Sequence, residues 1–127
     1  MSSPSQVVTE FLALWAEPGG PDDAVRRYFT DESVWDNVGL ARTTGQEEAL
    51  ALNAQFGAKF GMATIGIENL AIAETGNKVL TERIDTLIDG EGRVIGSFPC
   101  MGIFEVEGHK ITLWRDYFDT ANALQPA

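Results

Sequence analysis

The sequence has little of several things that would announce a function. Across 127 residues there is one cysteine, Cys100, and one histidine, His109. A single thiol cannot close an internal disulfide, and one Cys with one His leaves no zinc-ligand spacing, so no metal is expected. Basic residues are scarce as well: 9 Lys and Arg stand against 19 Asp and Glu, a formal net charge of -10. Nucleic acid binds where Lys and Arg neutralise phosphates, and a surface of the opposite sign repels it. The same sign argues against anionic membranes and against a highly anionic substrate. No apolar run approaches the roughly 20 residues of a membrane span. The segment Met1-Ser2-Ser3-Pro4-Ser5 carries no basic region followed by an apolar one. No signal peptide is expected from it, and the cytoplasm is the expected compartment.

What is present fits one globular domain spanning 1–127. Apolar residues make up 44% of the chain and charged ones 22%, which separates it from disordered sequences. A chain of this length buries enough surface for a core without disulfide or metal staples.

The first half reads as helices and the second as strands, the segregation typical of an α+β fold. Ser3, Pro4 and Gln6 form a helix start, with a capping box and a proline in the first turn. Val8, Phe11, Leu12 and Trp15 then fall on one helical stripe. Pro18-Gly19-Gly20-Pro21 stops that helix, and Asp22 or Asp23 opens a short second one with Val25, Tyr28 and Phe29 facing inward. Asp31 to Asn37 reads as a short strand or an extended lead-in. Thr44 and Glu47 form a second capping box, followed by the helical row Ala49, Leu52, Phe56 and Phe60.

From Ala63 the period changes to two. Ile65 and Ile67 share a face, Leu70 and Ile72 continue in the opposite phase, and the slip near Asn69 predicts a β-bulge. Strands follow at Lys78–Ile88, Arg93–Val106 and Lys110–Asp119, joined by turns at 89–92 and 107–109. Pro99 implies a bulge or an edge within the middle strand. The expected architecture is three helices and a four-stranded antiparallel meander, curled into a cone whose mouth a helix closes.

Polar residues break the apolar pattern at three places that matter. Along Lys78–Ile88, alternation puts Val79, Thr81, Arg83, Asp85 and Leu87 on one face. Arg83 and Asp85 are then roughly 6.6 Å apart along the strand, within reach of each other. On the last strand Thr112, Trp114, Asp116 and Phe118 share a face, so Asp116 lies between two aromatic rings. A buried carboxylate must be paired or protonated. Two readings follow. Either Asp85, Arg83 and Asp116 meet inside the cone, or Arg83 and Asp85 pair with Glu82 or Glu105 at the sheet surface. In the first case one proton retained on the two carboxylates makes the trio neutral and provides a general acid and a general base together. The titrations of such a pair are coupled.

The strings Thr81-Glu82-Arg83-Ile84-Asp85, Gly102-Ile103-Phe104 and Lys110-Ile111-Thr112-Leu113-Trp114-Arg115-Asp116-Tyr117-Phe118-Asp119 resemble the limonene-1,2-epoxide hydrolase family. Trp35-Asp36-Asn37 stands where that family carries Tyr-x-Asn. The resemblance extends from the first helix to Asp119. It implies a curved antiparallel sheet with helices closing an apolar pocket, and a homodimer formed through the sheet. It also implies one-step addition of water to an apolar epoxide, with no metal, no cofactor and no covalent ester. On this resemblance Asp116 is the base that activates water, Asp85 the acid that protonates the epoxide oxygen, and Arg83 the bridge between them. Asn37 helps hold the water.

Trp35 departs from the family pattern. A phenol both donates and accepts, whereas an indole only donates through its ring N–H. Altered substrate scope, lower epoxide turnover or a different reaction on the same scaffold are the expected consequences. Strand faces and resemblance together place Phe56, Phe60, Leu87, Phe98, Cys100 and Phe118 around the substrate, with ordinary core as the alternative for each. Cys100 itself has no activating neighbour in sequence and reads as a small buried hydrophobe. The expected substrate is uncharged, apolar and of terpene or cycloalkane size. Two alternatives use the same cone: a ketosteroid-isomerase-like or polyketide-cyclase-like enzyme, and a module that only binds an apolar ligand.

Overall fold

A computed structural model describes residues 2–121. Its elements are α1 (Pro4–Leu14), α2 (Gly20–Tyr28), β1 (Phe29–Asn37), β2 (Ala41–Thr44), α3 (Gly45–Phe60), β3 (Met62–Thr75), β4 (Lys78–Asp89), β5 (Val94–Glu107) and β6 (Lys110–Tyr117). The strands form one curved, unclosed sheet in the order β2-β1-β6-β5-β4-β3. Strands β3 to β6 are the antiparallel meander that period-two patterning predicts.

The expected four-stranded sheet is too small. β1 adds parallel to β6, and β2 adds antiparallel to β1. β2 has four residues, Ala41-Arg42-Thr43-Thr44, with no apolar alternation to reveal it. A parallel joint needs a long crossover. Here everything between β1 and β6 serves as that crossover, so two strands far apart in the chain meet beside the site.

The helix starts form partly as read. Ser3 and Gln6 make the reciprocal capping box at α1. At α3 the Thr44 side chain makes no cap hydrogen bond; instead Glu48 Oε1 accepts from the Thr44 N–H at 2.9 Å. The box expected from Thr44 and Glu47 is therefore replaced by Glu48, one residue further along, reaching back to the same backbone.

The bulge read near Asn69 is present as a register shift between Asn69 and Ala71. A second shift, between Glu105 and Val106, leaves Thr112 without a partner across β5. That shift corrects the face read on β6. Ile111, not Thr112, joins Trp114 and Asp116 in the interior, and the Thr112 hydroxyl donates to the Glu105 carbonyl at 3.3 Å. Pro99 lies where β5 has run past the end of β6 and pairs only with Ile84 of β4, so its missing N–H disturbs no shared ladder.

The helices cover the inner face of the sheet. Val7, Val8, Phe11 and Trp15 of the α1 segment pack with Phe29, Val79, Phe104, Val106, Ile111 and Trp114 in one core. Phe11 is its hub, with ring contacts at 5.1 Å to Trp114, 5.6 Å to Tyr28 and 5.8 Å to Phe29. Truncating such a ring costs about 3–5 kcal/mol. No helix among the described residues is long and apolar enough to cross a membrane.

Candidate active site

Alternation on β4 turns Thr81, Arg83, Asp85 and Leu87 into the interior, and all four are buried. Asp116 enters from β6, two strands away, because β5 lies between them. Arg83 is fully buried, Asp116 is 3% exposed and Asp85 6%. The surface ion-pair reading is thereby excluded. Glu105 instead pairs with Lys78 at 2.9 Å.

The Arg83 guanidinium binds both carboxylates. Nε donates to Asp85 Oδ1 at 3.1 Å and Nη2 to Asp85 Oδ2 at 2.9 Å. Nη1 donates to Asp116 Oδ1 at 3.0 Å and Nη2 to Asp116 Oδ2 at 2.7 Å. Nη1 also donates to Thr81 Oγ1 at 3.0 Å. These bonds use all five N–H groups of a guanidinium. Above it, the rings of Trp114 and Phe104 have centroids 5.9 and 6.0 Å from Cζ. Asp116 Oδ1 accepts a further hydrogen bond, from Trp114 Nε1 at 2.8 Å.

The electrostatics follow from this geometry. Burial pushes the Asp116 carboxyl above the ordinary aspartate range, although Arg83 and the Trp114 N–H pull it down; the nearby Asp85 charge adds to the rise. Burial alone would lower the Arg83 guanidinium, but Asp116 and Asp85 outweigh it and hold the cation well above its usual value. Arg83 is therefore a permanent charge.

The parallel joint supplies the rest. In register, Asn37 lies opposite Asp116 and Trp35 opposite Trp114. The two indoles stack, 5.1 Å apart and 7° from parallel. Trp35 Nε1 and Asn37 Nδ2 are buried donors without a protein hydrogen-bond partner among the described residues. Both residues border a pocket that also reaches Asp85 and Asp116.

That pocket is narrow, with about 40 Å³ of free volume inside a wider concavity that opens to solvent. Of the side chains read as substrate contacts, Phe56, Leu87, Phe98 and Phe118 line it. Phe98 and Phe118 face each other at 5.0 Å. Two others do not line it. Phe60 is buried one turn beyond Phe56, 6.0 Å from its ring. Cys100 is directly opposite Arg83 on β5 and lies 3.2 Å from Nη2, beneath the trio rather than in the pocket. Burial pushes its thiol up, and the Asp116 charge adds to this. Ile65 and Trp114 complete the wall and were not read as substrate contacts. Ile65 becomes visible only through its register with Leu87 across β3 and β4.

Asp85, Cys100 and Asp116 have ligand atoms within 4.8 Å of one another, as a metal site would. Arg83 already contacts all three, so a metal ion would have to displace a buried cation. The arrangement matches proton chemistry better: two carboxyl groups on one guanidinium, open to an apolar pocket from one side.

Known proteins share this sequence pattern and this fold. The sequence model of the limonene-1,2-epoxide hydrolase catalytic domain matches residues 2–126, almost the whole chain. The chain belongs to the limonene-1,2-epoxide hydrolase family. Within it, the chain is 39% identical over 97 residues to epoxide hydrolase EphG of Mycobacterium tuberculosis (strain ATCC 25618 / H37Rv). That match covers 76% of this chain but 62% of EphG, so the chain spans less than two thirds of that relative's length. The fold is also that of a solved M. tuberculosis LEH-like epoxide hydrolase, with a TM-score of 0.75 and 32% identity over 94% of this chain and 81% of that one. A protein with a ketosteroid isomerase-like fold from Catenulispora acidiphila DSM 44928 has a TM-score of 0.77 at 18% identity, covering 97% and 92% of the two chains. That last likeness concerns the cone alone.

Proposed function

We propose that this limonene-1,2-epoxide hydrolase family member adds water to an apolar epoxide in one step, giving a vicinal diol. The observation that carries the reading is the buried Asp85–Arg83–Asp116 trio at the base of an apolar pocket. With both carboxylates ionised the trio bears one net negative charge, and one retained proton neutralises it. A neutral trio is the state that burial favours.

The chemistry follows from who holds that proton. Among the described residues Arg83 donates to both carboxylates, and Trp114 donates to Asp116 as well. Asn37 lies opposite Asp116 across the parallel joint, its Nδ2 free among the described residues to hold water, so Asp116 takes the role of base and Asp85 that of acid. Water held by Asp116 and Asn37 gives a proton to Asp116 as its oxygen attacks an epoxide carbon. The carbon–oxygen bond opens, and the leaving oxygen takes the proton from Asp85. Asp116 is left protonated and Asp85 ionised. Arg83 Nη2 touches both, at Asp85 Oδ2 and Asp116 Oδ2, and can pass one proton on as it receives another. That transfer restores the starting state without changing the charge of the trio. Placing acid and base on opposite sides of one strained ring is what a concerted opening requires.

Phe56, Leu87, Phe98 and Phe118 would hold the hydrocarbon part. The free volume, about 40 Å³, is far below that of most small-molecule sites, and Trp35 fills space that a smaller ring would leave. Both favour a compact cyclic epoxide over an extended one. Trp35 Nε1 would donate to the water or to a substrate oxygen.

The reading also includes a homodimer through the outer sheet face. Leu80 of β4, Met101 of β5 and Tyr117 of β6 lie on the face opposite the site and are 38%, 49% and 50% exposed, an apolar patch that a second copy would cover. Light scattering of the wild type and of Met101→Glu tests this part separately.

Hydrolysis of a panel of small cyclic, terpene-sized and linear epoxides, run with Asp85→Asn and Asp116→Asn, tests the activity. Diol formation lost in both variants is expected. No diol from any epoxide, or full activity in either variant, would overturn the proposal.

A further inference from the structure

Arg83 and Asp116 are on strands that do not touch. β5 separates β4 from β6, which places their backbones about 9.5 Å apart. The guanidinium must therefore pass over β5 to reach Asp116. The β5 residue in its path is Gly102, in register with Thr81 on one side and Asp116 on the other.

A side chain at Gly102 has nowhere to go. A Cβ built there would stand 2.5 Å from Arg83 Nη1, 3.2 Å from Thr81 Oγ1, and closer still to Asp116 Oδ1. None of these neighbours can retreat cheaply. Arg83 Nη1 is bonded to both Thr81 and Asp116, and Asp116 Oδ1 is also held by Trp114. Backbone conformation does not demand glycine at this position, because Gly102 is absent from the residues with positive φ. A glycine within a strand weakens it and often marks a close approach. Here the close approach is by a charged side chain from the neighbouring strand.

We propose that Gly102 is a positioning residue: the gap its missing side chain leaves in β5 is the channel through which Arg83 reaches Asp116 and couples acid to base. Thr81 forms the wall of that channel. Its hydroxyl accepts from Arg83 Nη1, the same nitrogen that donates to Asp116 Oδ1. The role in turnover rests on the proposed hydrolase activity; the geometric role does not.

Gly102→Ala is the test, with Val94→Ala, at an exposed position of β5, as control. Two readouts separate the claims. Epoxide turnover in Gly102→Ala should fall about 100-fold in kcat with little change in KM, the loss that a displacement of about 1 Å can cause. The Trp114 indole N–H resonance reports its bond to Asp116 with no substrate present. It should shift in Gly102→Ala and stay in place in Val94→Ala. An unmoved Trp114 resonance in a folded Gly102→Ala protein would overturn the proposal, whatever the activity. A moved resonance together with wild-type turnover would uphold the channel and overturn the proposed use of the trio. If Gly102→Ala alone does not fold, Arg83→Met in the same chain empties the channel. Recovery of folded double variant supports the account, and failure to recover it contradicts the account.

Discussion

Replacing Trp114 by Phe removes one hydrogen bond from the base of the pocket while keeping an aromatic ring there. The bond lost is the Nε1 donation to Asp116 Oδ1 at 2.8 Å. Arg83 still donates twice to Asp116, so the carboxylate keeps its bidentate partner. A hydrogen bond to a charged group contributes about 1.5–3 kcal/mol. Removing one that favours the anion raises the carboxyl's pKa, at about 1.4 kcal/mol for each unit. Asp116 already stands above the ordinary aspartate range because of burial. As a base it works only when ionised, so the acid limb of kcat/KM should move to higher pH, by about 1 to 2 pH units. Stability should carry the same sign. A carboxyl raised in the folded state contributes stability below its unfolded value and loses it as pH rises through the folded value. Trp114→Phe should therefore be destabilised more at pH 8 than at pH 5. The assay is a pH profile of epoxide hydrolysis with urea unfolding at both pH values. Trp15→Phe is the control: Trp15 packs 5.2 Å from Trp114, and its Nε1 has no hydrogen-bond partner among the described residues. An acid limb that stays in place or moves down in Trp114→Phe would refute the reasoning. So would an equal shift in Trp15→Phe.

Other perturbations have defined outcomes. Asp116→Asn leaves Arg83 and Asp85 as a neutral buried pair, so the protein should fold by circular dichroism while kcat drops by about 100-fold or more. Trp35→Tyr restores a side chain that can accept as well as donate and is smaller than indole; it should raise or redirect epoxide turnover, and unchanged kinetics would place Trp35 outside the water site. Cys100 is 3% exposed with its thiol held up by burial. It should resist a thiol reagent in the native protein and react promptly in denaturant; rapid native labelling would contradict its place beneath Arg83.

Much of this site was legible in the residues because strand alternation is a strong signal. Thr81, Arg83, Asp85 and Leu87 are all buried on the face that period two assigns them. The resemblance then linked Asp116, Asn37 and Trp35 to them, residues far apart in the chain. Pairing was much less legible. The parallel joint of β1 to β6, which puts Asn37 opposite Asp116, has no local signature, because β1 is polar along Thr30-Asp31-Glu32 and β2 is four residues long. The position of Cys100 beneath the guanidinium depends on register against β4, not on its own face alone. Phe60 belongs to the same helical row as Phe56, but one more turn carries it out of the pocket wall. The bulge at Thr112 likewise reverses the face of half a strand, and nothing in the sequence around it marks the extra residue.

The central claim is that Asp116 activates water directly, with no bond between enzyme and substrate. Single-turnover hydrolysis in oxygen-18 water, with enzyme in excess over epoxide, tests it most directly. The account predicts one label in every diol and none in the Asp85 or Asp116 carboxyl groups by peptide mass analysis. Label in either carboxyl group, or diol without label, would contradict it.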